Sequence, residues 1–246
     1  MRRSSPARLA RLGVALAIAV GLAGCGASLG MPDSATEQGD TVLDLWSPAV
    51  LAALVVGCFV WGLIIWSIVR YRQRNDALPP QVDEHIPIEI VYTVVPIVIV
   101  VVLFVFGSLA YRDVSSTSGT PDHRVTVTGF QWSWQFAYEG TDVVIEGDGE
   151  GNDGPLLVLP VGETTRLDLV SEDVAHSFWV PEFLGKRDLI PGVDNQIDVT
   201  PTEEGTFRGR CAEFCGLDHW RMYFHVRLVS PDEFDAWLAD QQEAVG

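Results

Sequence analysis

The stretch Gly205-Thr206-Phe207-Arg208-Gly209-Arg210-Cys211-Ala212-Glu213-Phe214-Cys215-Gly216-Leu217-Asp218-His219-Trp220-Arg221-Met222-Tyr223-Phe224-His225-Val226-Arg227-Leu228-Val229 decides the reading of this chain. Its end alternates: Phe224, Val226 and Leu228 are apolar, while His225 and Arg227 are polar. That is the period of a half-buried strand. Similar short runs stand at residues 125–128 and 165–169, at Val199 and at Phe207, separated by Gly, Pro and acidic turns. The pattern predicts an antiparallel β-sandwich or barrel. Between two of these runs lies a different texture. Cys211, Cys215, His219 and Met222 put two thiols, an imidazole and a thioether within 12 positions. These donors are soft or borderline, which suits copper better than magnesium or calcium.

A second imidazole, His176, lies 35 positions before Cys211, just after a predicted strand. A strand-to-strand return could bring it to the same end of a sandwich. A structural zinc site could use two Cys and two His, but it leaves Met222 unexplained. A blue-copper site takes one thiolate, and here there are two. A Cys211–Cys215 disulfide is the alternative in an exported protein, although it ignores His219 and Met222. Two thiolates bridging two coppers use every donor. Each ion then takes one His, and the weak ligands are Met222 and a backbone carbonyl.

The rest of the chain sets where such a site would lie. Arg2, Arg3, Arg8 and Arg11 precede a short apolar stretch at residues 12–22, as in an export signal. Leu22-Ala23-Gly24-Cys25 resembles the bacterial lipobox, which implies cleavage before Cys25 and lipidation of its thiol. Residues 1–24 are therefore expected to be a signal peptide of lipoprotein type, and residues 25–45 a flexible leader. Two apolar runs, at about 46–69 and 90–110, are each long enough to span a bilayer. The loop between them holds Arg70, Arg72 and Arg74, so the positive-inside rule makes it cytoplasmic. Residues 46–110 then form a hairpin with both ends outside, in agreement with an exported N-terminus. Residues 111–230 would be an extracytoplasmic domain, and residues 231–246 a terminal helix with Ser230 as N-cap, then a tail. Of the formal net charge of −17, residues 111–246 carry −16, from 9 Lys+Arg against 25 Asp+Glu. An acidic domain repels nucleic acid and can attract a basic protein. Glu146 and the residues up to Gly154 read as a Gly- and acid-rich turn.

The ligand segment resembles the Cys-x-Glu-x-Cys-x3-His-x2-Met motif of cytochrome c oxidase subunit II. The resemblance extends to His176-Ser177, Val180-Pro181, Lys186, Asp188, Pro191-Gly192 and Asn195-Gln196, and covers about residues 46–229. It implies an all-β, cupredoxin-like Greek-key sandwich or barrel preceded by a two-helix transmembrane hairpin. It implies that His176, Cys211, Cys215, His219, Met222 and the Glu213 carbonyl bind the binuclear copper centre CuA. In that family the side chain matching Glu213 reaches a magnesium ion at the interface with subunit I. The aromatic string Gln131-Trp132-Ser133-Trp134 resembles the family's Gln-Trp-Tyr-Trp, and Trp132 inherits the role of electron acceptor from the donor. Ser133 replaces a Tyr there. Trp132, Trp134, Phe136 and Tyr138 alternate, which would set four rings on one face of a strand. Glu89-Ile90-Val91-Tyr92-Thr93 and Pro96 resemble the family's Glu-x-x-Trp-Thr-x-x-Pro, whose Glu lies at a proton path, and Tyr92 replaces the Trp.

The implied function is acceptance of electrons from a c-type cytochrome and transfer to haem in subunit I. Oxygen is reduced to water there, with proton pumping, in a bacterial plasma membrane. Haem and CuB would belong only to the partner subunit, and subunit III is a further expected partner. A quinol oxidase subunit II shares the architecture but lacks the copper ligands. A lipid-anchored copper carrier needs no spanning hairpin, and nitrous oxide reductase is a much longer soluble enzyme. His85, His123 and His225 match no motif.

Overall fold

The computed structural model describes residues 29–73, 76, 78, 80–147 and 154–245. The expected signal peptide, the proposed lipid site Cys25 and residues 148–153 of the acidic turn lie outside the described residues. The chain divides into two compact units, Met1–Asp33 and Ser34–Gly246, and the fold below belongs to the second.

Two helices come first: α1 (Glu37–Arg70) and α2 (Ile86–Ser115). Both are long and apolar enough to cross a membrane, with mean hydropathy 2.5 and 2.9. Their apolar side chains are exposed along most of both helices, which suits lipid rather than water as surroundings. Each contains a proline, Pro48 and Pro96.

The leader expectation fails at its C-terminal end. Helix α1 starts at Glu37, inside the 25–45 segment read as flexible. Thr36 caps it: its Oγ1 accepts the Gly39 N–H at 3.0 Å. Glu37 and Asp40 in the first turn favour the positive end of the helix dipole. The residues just before are tied down as well. The Ala35 N–H donates to the Glu182 carbonyl and the Ala35 carbonyl accepts from the Thr202 N–H, both at 2.9 Å. Ala35 and Thr36 are buried. A polar stretch that finds backbone partners on a sheet edge is ordered without needing apolar side chains.

Ten strands follow: β1 (His123–Phe130), β2 (Ser133–Tyr138), β3 (Val144–Glu146), β4 (Leu156–Pro160), β5 (Thr165–Ser171), β6 (His176–Val180), β7 (Gly185–Leu189), β8 (Asn195–Val199), β9 (Gly205–Cys211) and β10 (Tyr223–Val229). They form two five-stranded sheets, in the orders β3-β2-β1-β5-β8 and β4-β10-β9-β6-β7. The fold is a β-sandwich behind a two-helix hairpin, the expected class. The pairing is not purely antiparallel, however. β1 runs parallel to β5, and β10 parallel to β4. Alternation along one strand reports which face is buried and says nothing of its neighbour's direction.

The core is aromatic. Phe178 and Phe224 stack with centroids 4.8 Å apart, and Trp134 meets Phe224 edge-on at 5.1 Å. Helix α3 (Pro231–Val245) closes one side by burying Phe234, whose ring lies 4.9 Å from that of His123. Ser230 starts it, with Oγ accepting the Glu233 N–H at 3.3 Å. Residues just past α2 are held by a buried ion pair, Arg166 and Asp198. Arg166 Nη2 donates to the Ser118 carbonyl and the Ser118 N–H to Asp198, both at 2.6 Å.

Candidate metal centre

The donors converge because three strands meet at one end of the second sheet. β9 ends on Cys211 and β10 begins just after Met222, so the connection between them, residues 212–222, is anchored at both ends. The Cys211 N–H donates to the Met222 carbonyl at 3.0 Å, which closes the neck of this loop. β6 pairs with β9 through Phe178 opposite Cys211, so His176 lies two residues further along the strand at the same end. Its ring points into the sandwich and lies against β1. A Cβ at Gly129 would stand 3.3 Å from two His176 ring carbons.

The thiols occupy the middle. Cys211 Sγ and Cys215 Sγ are 3.9 Å apart, well beyond the ~2.05 Å of a disulfide. His176 Nδ1 lies 3.8 Å from Cys211 Sγ, and His219 Nδ1 lies 3.6 Å from Cys215 Sγ. Met222 Sδ is 3.7 Å from Cys215 Sγ, and the Glu213 carbonyl oxygen is 3.2 Å from Cys211 Sγ. Ligand atoms of His176, Cys211 and Cys215 all fall within 4.8 Å of one another, and all three residues are buried. All six sequence-derived donors are thus adjacent, with one imidazole beside each thiol. The arrangement fits a soft metal.

The electrostatics of the thiols differ. Burial raises the Cys211 pKa, but the His176 ring, then backbone hydrogen bonds at Glu213 and Ser177, outweigh it and bring it to about 7. Burial, then the adjacent Cys211 charge, pushes Cys215 up to about 12. A metal bound by both must displace the proton that Cys215 otherwise keeps, so affinity falls with acid.

Trp132 is not in the strand. It sits in the turn between β1 and β2, partly buried, while Trp134, Phe136 and Tyr138 fill the core from β2. The turn bends the chain one residue before the alternation starts. That places Trp132 on the ligand loop, where a Cβ at Gly216 would stand 3.2 Å from two indole atoms. Gly216 has φ +125°, a conformation L side chains rarely adopt. Glu213 is exposed, as are Phe214, Leu217 and Trp220 of the same loop. Glu89 lies far from this cluster in sequence, in the first turn of α2. Its Oε1 accepts the His85 N–H at 2.9 Å, an interaction that also caps the helix.

Sequence reasoning missed the residues around the ligands. Asp173 Oδ1 lies 2.8 Å from His176 Nε2, and Gln131 Nε2 donates to the Cys215 carbonyl at 2.7 Å. The one available signal was Asp173 three positions before His176, a spacing shared by many loop acids.

Fold and site together define a membrane-anchored β-sandwich protein with a His/Cys/Cys soft-metal cluster. The family described as "Cytochrome C oxidase subunit II, periplasmic domain" matches residues 152–229, and "Cytochrome C oxidase subunit II, transmembrane domain" matches residues 25–110. A probable cytochrome c oxidase subunit 2 of Streptomyces coelicolor is 42% identical, over 86% of this chain and 78% of its own length. Cytochrome c oxidase subunit 2 of Mycobacterium bovis is 34% identical, over 90% and 78% respectively. Among solved structures, the periplasmic domain of subunit II (CoxB) of Bradyrhizobium japonicum is 29% identical, with a TM-score of 0.48 over 53% of this chain and all of that one. The chain belongs to the cytochrome c oxidase subunit II family. It is a two-span membrane protein and part of an oxidase complex, with subunit I as its partner.

Proposed function

We propose that this chain holds the binuclear copper centre CuA and is the point where electrons from a c-type cytochrome enter the oxidase. The observation that carries the reading is the pairing of donors: two adjacent thiols, each with its own imidazole, plus a thioether and a carbonyl. Such a copper pair shares one electron between two ions, so its ligands shift little on reduction. Cys211 and Cys215 would bridge it, His176 and His219 would each bind one ion, and Met222 and the Glu213 carbonyl would be the weak ligands. Burial of His176, both thiols and Met222 excludes water from the cluster.

Trp132 is the proposed receiver of electrons, because its indole lies on the ligand loop and remains partly exposed. The acidic domain attracts a basic cytochrome. Electrons then pass to haem in subunit I, where oxygen is reduced to water and protons are pumped. The exposed Glu213 carboxylate would contribute one oxygen ligand to a magnesium ion at that interface, with the remaining ligands from water and subunit I. Glu89 is a candidate mouth of a proton path, alongside its capping role. We further assign the copper domain to the extracytoplasmic side of a bacterial plasma membrane, with removal of residues 1–24, lipidation of Cys25, and subunit III as a neighbour.

The test uses the purified oxidase containing this subunit. Its electron spin resonance spectrum is expected to contain a delocalised mixed-valence copper pair. A single localised copper, or zinc in the cluster, would sink the reading. Replacing Trp132 with Phe is expected to slow reduction by the cytochrome in stopped-flow measurements while leaving the copper spectrum intact. An unchanged rate would remove Trp132 from the path.

A further inference from the structure

The turn that presents Trp132 and the loop that presents the donors are joined through one carboxylate. Asp173 stands in the connection between β5 and β6. Its Oδ1 lies 2.8 Å from His176 Nε2, and its Oδ2 accepts the Gln131 backbone N–H, also at 2.8 Å. The Val174 N–H adds a third contact at 2.6 Å. Gln131 in turn donates from Nε2 to the Cys215 carbonyl at 2.7 Å. The circuit therefore runs from one histidine donor, through Asp173 and Gln131, to one cysteine donor. Trp132 is the next residue after Gln131 and packs on Gly216, the next residue after Cys215.

The chemistry of these contacts has a direction. An ionised carboxylate only accepts, so His176 Nε2 must carry the proton and Nδ1 keeps its lone pair. Nδ1 is the atom that faces Cys211 Sγ. The two imidazoles are not equivalent here. Among the described residues, His176 has a carboxylate partner and His219 does not. A carboxylate meant only to attract a partner would point outward. This one spends both oxygens on N–H groups of the site.

We propose that Asp173 is a positioning residue: it locks His176 with Nδ1 toward the thiols and, through Gln131, fixes the Trp132 turn to the same ligand set. The inference rests on the two-copper reading above.

The experiment compares the intact oxidase carrying Asp173→Asn, Gln131→Met or Glu172→Gln with the unaltered enzyme. Asn keeps the shape, but its one oxygen cannot serve both N–H donors as the carboxylate does. In Asp173→Asn we expect a shifted copper-pair spectrum and copper affinity reduced about 10- to 100-fold in competition with a chelator. Reduction should slow with the cytochrome and with a small uncharged reductant alike. Gln131→Met cuts only the arm to Cys215, so its spectral shift should be smaller. Glu172→Gln removes the same charge from a neighbouring exposed residue and should slow only the cytochrome reaction. If Asp173→Asn behaves like Glu172→Gln, with spectrum and copper affinity unchanged, Asp173 merely attracts the donor and the proposal is overturned. An unshifted spectrum in Gln131→Met, should Asp173→Asn not assemble, overturns it too. An unaltered enzyme without a copper pair refutes the underlying reading and this one together, whereas the variants separate them.

Discussion

Replacing Cys215 with Ser abolishes the delocalised copper signal and with it turnover from cytochrome. Cys215 is the hub of the cluster: its Sγ lies 3.9 Å from Cys211 Sγ, 3.6 Å from His219 Nδ1 and 3.7 Å from Met222 Sδ. Cys211 Sγ likewise meets three donors, but only Cys215 meets His219 and Met222. A serine hydroxyl is a hard ligand that stays protonated where a metal-bound thiol ionises, so it cannot bridge two soft ions. Cys211, His176 and the Glu213 carbonyl remain together, enough for at most about one localised copper. The side chain shrinks by little, and Cys215 sits at the edge of the core rather than among the stacked rings. The subunit should therefore still assemble. The measurement is metal content and electron spin resonance of the variant oxidase, with haem content as the assembly control. We expect the pair signal to vanish while haem is unchanged. A persisting delocalised signal would remove Cys215 as a bridge and with it the binuclear reading.

How much of this could be read from the chain depends on sequence distance. Cys211, Cys215, His219 and Met222 lie in one connection between adjacent strands, so local order already placed them together. His176 needed the pairing of β6 with β9, which sequence could only suggest. The hairpin was legible because a bilayer imposes a length and a composition. Its true start was not. Thr36, Glu37 and Asp40 form a recognisable helix beginning, but the apolar run that draws attention starts nine residues after Glu37. The parallel pairings were invisible, since β1 and β5 read the same whichever way they run. Asp173 was one acid among 25 in an acidic domain. Only the folded chain shows that N–H groups of the site engage both its oxygens.

The buried pair of Arg166 and Asp198 should matter almost as much, for a mechanical reason. These residues face each other in the β5–β8 register, with Arg166 Nε to Asp198 Oδ1 at 2.7 Å and Nη2 to Oδ2 at 2.9 Å. Both side chains are nearly excluded from solvent. They also grip Ser118, three residues beyond the end of α2, where the hairpin becomes the domain. Arg166→Ala leaves Asp198 charged, buried and unpaired, which costs about 3–5 kcal/mol. For a chain of this size the melting point should fall on the order of 10 °C. Removing both charges, as in Arg166→Met with Asp198→Leu, should recover much of that loss, since no lone charge stays behind. The pH dependence has a definite sign. Burial raises the Asp198 pKa, but Arg166 and Ser118 outweigh it, and the net shift is downward. The pair's contribution is therefore complete above the unfolded value of about 3.9 and is lost only as acid passes the lower folded value. Thermal melts of Arg166→Ala and the unaltered subunit should differ most at neutral pH and above, and the gap should narrow as acid protonates the unpaired Asp198 of the variant. The gap should close below about pH 4. A gap that stays the same from neutral pH down to about pH 3 would mean another group carries the effect. Because the Ser118 carbonyl loses its donor while only the Ser118 N–H stays bonded to Asp198, the domain's hold on the residues just past α2 is weakened. Transfer from the copper domain to subunit I should then weaken at temperatures where the copper spectrum is still intact.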